Sequence, residues 1–68
     1  MPDPVFTPVE ITGTSGADVT NAVQDAVDKA SETLRNVDWF ELLSVRGSVE
    51  DGTIKQFQAA VNIGFRLG

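Results

Sequence analysis

Residues 54–67, Ile54-Lys55-Gln56-Phe57-Gln58-Ala59-Ala60-Val61-Asn62-Ile63-Gly64-Phe65-Arg66-Leu67, alternate along their whole length. Phe57, Ala59, Val61, Ile63, Phe65 and Leu67 fall on one side of an extended chain. Gln56, Gln58, Ala60, Asn62, Gly64 and Arg66 fall on the other. A period of two over so long a run predicts a strand whose register is fixed by its apolar side. Just before it, Glu50-Asp51-Gly52-Thr53 carries the Asp-Gly pair of a tight hairpin turn. The strand feeding that turn is read over residues 39–49, with Leu43, Val45, Gly47 and Val49 as its clearest apolar row.

Working back toward the N-terminus, Val19, Ala22, Val23, Ala26, Val27, Ala30 and Leu34 recur at helical spacing and form one apolar stripe. Small Ala and Val side chains there allow close approach to a sheet. Asp25 and Lys29 stand four apart in the favourable order, worth ~0.2–0.5 kcal/mol in an isolated helix. Asp18 near the start and Arg35 near the end complement the helix dipole. Gly13-Thr14-Ser15-Gly16 is read as a break before the helix, with Ser15 as N-cap and Asp18 completing a capping-box-like pattern. An anion could sit at that helix start, but the segment lacks the Walker lysine and the spaced glycines of a dinucleotide fingerprint.

Residues 5–12 alternate again: Val5, Thr7, Val9 and Ile11 on one side, Phe6, Pro8, Glu10 and Thr12 on the other. Pro8 has no N–H, which predicts an edge strand or a bulge at that point. Residues 1–4, with two prolines, are read as a frayed tail. The order is β-α-β-β, an α+β fold in which one helix packs on one face of a small antiparallel sheet. The other face has no cover within the chain. It suits a polar subunit interface, a ligand-lined surface or contact with water.

Composition narrows the function. The 68 residues are 41% hydrophobic and 22% charged, an ordinary globular balance with room for one small domain, residues 1–68. No apolar run reaches the ~18 residues of a membrane helix, and no secretion signal is visible, so a soluble cytoplasmic protein is the expectation. Cysteine and histidine are both absent, which excludes disulfides, cysteine-histidine zinc sites, Cys nucleophiles and His bases. A net charge of −5 disfavours nucleic acid. A core below ~70–80 residues rarely supplies more than ~3–5 kcal/mol without a staple, so oligomerisation is expected before any motif is read.

Three side chains carry candidate chemistry. Trp39, the only tryptophan, lies at the helix-to-strand junction, where it is either a core or interface anchor or a stacking platform for a flat ligand. Gln58, in mid-strand, either faces solvent or reads a ligand edge with mixed donors and acceptors. Arg46 either forms a surface ion pair, worth ~0–1 kcal/mol, or contacts a phosphate with its guanidinium fork. Glu41, Glu50 and Asp51 make no convincing acid/base pair.

The chain resembles the dodecins, small flavin-binding proteins. The resemblance rests on Thr12-Gly13-Thr14-Ser15, on Thr33-Leu34-Arg35-Asn36-Val37-Asp38-Trp39-Phe40-Glu41 followed by Val45-Arg46-Gly47, and on Glu50-Asp51-Gly52 with Phe57-Gln58 and Ile63-Gly64-Phe65-Arg66-Leu67. It covers essentially the whole chain as one dodecin-like domain. It implies a β-α-β-β fold whose three-stranded sheet partly wraps the helix, twelve copies forming a hollow shell, and flavins bound in pairs at two-fold subunit interfaces. By the same resemblance Trp39 would stack on the isoalloxazine ring, Gln58 would hydrogen-bond its polar edge, and Arg46 would meet the phosphate of FMN. Ser44 falls where some relatives contact the ribityl chain.

Two details cut across this. Trp39 and Arg46 are seven apart, which in a regular strand puts them on opposite faces; a bulge, or service of one ligand from different subunits, would reconcile them. Relatives commonly carry lysines where this chain has Thr7 and Pro8, which bears on the choice among FMN, FAD and riboflavin. Phe57 stands where Tyr is frequent. The leading expectation is a non-enzymatic flavin store, a homo-oligomer, with a ligand-free structural oligomer second. A flavin-dependent oxidoreductase comes last, because no His, Cys or Tyr is present to handle protons.

Overall fold

The structure, a computed structural model, describes residues 9–65. The elements run β1 (Val9–Ser15), α1 (Val19–Thr33), β2 (Val37–Glu50) and β3 (Thr53–Phe65). The strands form one antiparallel sheet in the order β1-β3-β2, so the long alternating strand is central. The expectations for residues 1–4, for Thr7 and Pro8, and for Arg66 and Leu67 lie outside the described residues.

The core follows the two periodicities. Ala22, Ala26 and Ala30 of α1 and Ala59, Val61 and Ile63 of β3 are fully buried against one another. Ile11, Val23, Val27, Leu34, Val37 and Phe57 pack around them. Gly13 explains why the helix lies so close. A Cβ there would collide with the Ala22 carbonyl oxygen and the Ala26 backbone nitrogen.

That contact also corrects the expected break at residues 13–16. β1 continues through Gly13 to Ser15, paired Gly13 to Ala59 and Ser15 to Phe57. The glycine is a packing contact inside a strand, not a turn. Ser15 is likewise not the N-cap. Asp18 caps, its Oδ1 accepting the Asn21 N–H at 2.7 Å, while Ser15 Oγ accepts the Ala17 N–H at 2.9 Å in the turn before it. Arg35 falls beyond the C-cap, Leu34, whose N–H donates to the Ala30 carbonyl at 2.8 Å. Asn36 then turns the chain at φ 59°.

One polar clamp ties α1 to β1. The Asp25 carboxylate accepts the Thr14 N–H at 2.9 Å and pairs with Lys29 at 3.1 Å. Lys29 Nζ also donates to the Thr12 carbonyl at 3.3 Å. The Thr14 hydrogen bond, followed by the Lys29 contact, holds the Asp25 carboxyl below its ordinary value.

β2 begins two residues before the expected start, at Val37. The hairpin turns at Asp51 (φ 52°) and Gly52 (φ 75°), the two-residue turn that Asp-Gly favours. Register shifts interrupt β2–β3 pairing between Val37 and Trp39, between Leu42 and Ser44, and between Ser48 and Val49. The shift at Leu43 corrects the expected apolar row. Phe40 and Leu42 pair with Ile63 and Val61 on the helix side, Leu43 is the extra residue, and Val45 and Gly47 resume that side opposite Ala59 and Phe57.

Candidate functional site

The sheet face turned away from α1 carries the side chains that alternate with the core. In the central strand these are Gln58, Ala60, Asn62 and Gly64. Cross-strand register supplies their neighbours. Gln58 lies between Thr14 and Arg46, Ala60 between Thr12 and Ser44, and Asn62 between Glu10 and Glu41. Gly64 pairs with Trp39. Residues paired across a ladder share a face, so Trp39, Ser44, Arg46 and Gln58 all lie on one surface.

Their common placement depends on the extra residue at Leu43. A strand without it would alternate from Trp39 to Leu43 and Val45, sending Arg46 to the opposite side. With two residues of β2 set against one step of β3, the alternation resets, and Ser44 and Arg46 join Trp39 and Glu41.

Trp39 is seated by Gly64. Its indole atoms Cε2, Nε1 and Cζ2 occupy the space a Cβ at residue 64 would take. The glycine is thereby buried, while the tryptophan remains 38% exposed. A large aromatic held from below and open above is a stacking platform.

On the same face, lined by Glu10, Thr12, Ser44, Arg46, Gln58 and Ala60, is a concave patch of about 240 Å³; Trp39 is not among its lining residues. The patch is an open wall, smaller than the ~300–1,000 Å³ typical of ligand pockets. The wall offers an amide with donors and an acceptor, two hydroxyls, one cation and one carboxylate. Together with the indole on the same face, that set fits a flat ring with a polar edge and a hydroxylated or anionic tail. A flavin has those features. Among the described residues no group of three or more His, Cys, Asp or Glu could hold a metal ion, and no helix is long and apolar enough to cross a membrane.

Sequence reasoning had named Trp39, Ser44, Arg46 and Gln58 but not Glu10, Thr12 or Gly64 as partners on this face. The alternation of residues 5–12 already put Glu10 and Thr12 on one side. What it lacked was the register that sets that side beside Gln58.

The family model for dodecin matches residues 5–68. A dodecin of Thermus thermophilus is 40% identical over 63 residues, covering 93% of this chain and 91% of its own. Among solved structures, the dodecin of Streptomyces coelicolor superposes with a TM-score of 0.89 at 44% identity, covering 100% of this chain and 97% of its own. The dodecin of Streptomyces davaonensis gives a TM-score of 0.88 at 39% identity, with 98% of each chain covered. The β-α-β-β order, the antiparallel sheet and these matches agree over the length of the protein, and the chain belongs to the dodecin family of small flavin-binding proteins.

Proposed function

We propose that this protein binds and sequesters flavin without transforming it. The observation that carries the reading is the extra residue at Leu43, which brings Trp39, Ser44 and Arg46 to the face that holds Gln58. In this reading Trp39 stacks on the isoalloxazine ring. Gln58 orients the ring through its polar edge. Arg46 meets the phosphate of FMN, and Ser44 contacts the ribityl chain. Riboflavin and FAD share the ring and are alternative ligands. The flavin itself supplies the light-absorbing, redox-active ring, and close contact with an indole quenches its excited state by electron transfer. The result is storage that limits flavin photochemistry in the cytoplasm.

The shallow wall supports a site shared between copies of the chain, with flavins paired at two-fold contacts of a homododecamer. A second reading is a structural oligomer with no ligand. An apolar groove between α1 and β2, lined by Val19, Val23, Val27, Phe40 and Leu42, favours association whether or not flavin binds.

Titration of assembled, flavin-free protein with FMN and then riboflavin, followed by tryptophan emission, tests the reading. There is one tryptophan, so the signal has one source. Saturable quenching with parallel loss of flavin emission is expected. Unchanged emission would leave the ligand-free oligomer in its place.

A further inference from the structure

We propose that the Asp25–Lys29 pair of α1 closes the outer edge of β1, so that a second copy of this chain cannot add its own β1 there and copies meet through other surfaces. The inference goes beyond flavin binding and holds with or without a ligand.

β1 is an edge strand, in the sheet order β1-β3-β2. In an antiparallel strand the N–H and C=O of one residue point the same way, and that direction alternates along the chain. The Thr14 N–H donates to Asp25 Oδ2 at 2.9 Å, and the Thr12 carbonyl accepts from Lys29 Nζ at 3.3 Å. The backbone groups of Thr12 and Thr14 therefore point out of the sheet, away from β3, and Glu10 is in phase with them. Outward groups of this kind are a template for another strand.

The spacing of the pair matches the spacing of the edge. Asp25 and Lys29 are one helical turn apart, about 6 Å of rise, and Thr12 and Thr14 are two strand residues apart, about 6.8 Å. The two side chains also bond to each other at 3.1 Å, so each holds the other in place. Two β1 edges meeting about a two-fold axis at Thr12 would set Thr12 against Thr12 and Glu10 against Thr14. That ladder needs the Thr12 carbonyl and the Thr14 N–H of each chain, the two groups already engaged. An incoming strand would also cover an ammonium and a carboxylate that are now 50% and 35% exposed, at the cost of their hydration. Assembly is thereby left to surfaces such as the apolar groove between α1 and β2.

The test is sedimentation velocity of the full chain over a range of concentrations, wild type against Asp25→Ala/Lys29→Met. The double substitution removes one charge of each sign, so the net charge stays at −5 and repulsion between copies is unaltered. It is expected to add species of about twice the wild-type mass or more, growing with concentration. Adding Thr12→Pro removes an outward N–H that β3 does not use, a change an edge strand tolerates, and is expected to abolish those species. A double variant that sediments as the wild type does at every concentration would overturn the proposal. So would larger species that survive Thr12→Pro, because their contact would then lie elsewhere. If circular dichroism shows the double variant unfolded, Lys29→Met alone decides. It leaves Asp25 on the Thr14 N–H and frees only the Thr12 carbonyl. The same gain in mass, reversed by Thr12→Pro, is expected of it, and its absence would equally overturn the proposal.

Discussion

Trp39 is held in place by a glycine on another strand. The indole fills the volume a side chain at position 64 would need. Gly64→Ala should therefore push the indole off its seat. Crowding of this kind costs about 1–3 kcal/mol, so a lower urea midpoint is expected, together with weaker flavin binding in the same preparation. An unchanged midpoint and an unchanged flavin affinity would mean that the indole does not depend on this seat. The roles open to Trp39 and Gln58 were readable from residue type: one large aromatic, one mid-strand amide. Gly64 was not readable in the same way. It looked like one more small residue in a polar row, because what rests on it comes from β2 and no local pattern records that contact.

At the scale of elements, the helix and the central strand were plain in the sequence because each repeats its own period over a long run. The course of β2 was not. Leu43 has the composition of an ordinary strand residue, and no glycine or proline marks it, so the alternation was read straight through it. Only pairing with β3 exposes it as the extra residue. The same limitation hid the role of Gly13, where a turn-like composition serves close packing against Ala22 and Ala26. The seven-residue spacing of Trp39 and Arg46 puts them on opposite faces of a regular strand and left two ways to reconcile them, a bulge or service from different subunits. The register shift at Leu43 is such a bulge. Deletion of Leu43 tests the consequence. A one-residue change of register exchanges the two faces of a strand, so Trp39 and Arg46 could no longer share one. Loss of flavin binding is expected while far-ultraviolet circular dichroism still reports the β-α-β-β content. Retained affinity in a folded deletion variant would show that the ligand does not need both residues on that surface.

At the scale of the molecule, the apolar surface left over is as informative as the core. α1 covers β1 and β3 more fully than β2, and every β2 residue after Val37 is exposed. Phe40, Leu42, Val45 and Val49 stand open, with Ile54 across the hairpin. The molecule is correspondingly elongated, 55 × 21 × 13 Å. A chain of 68 residues has little core to spare, and burying one such side chain contributes about 1.5–3 kcal/mol. Assembly through this surface would thus supply much of the stability of each subunit, and the melting temperature should rise with protein concentration. Leu42→Asp probes the groove beneath α1 without touching the wall that carries Gln58. A charge there remains hydrated in a separate chain but would be desolvated in an assembly. The variant is expected to sediment as a smaller species and to melt at a lower temperature. A wild-type protein that sediments as a single chain, with a melting temperature independent of concentration, would count against association as the source of that stability.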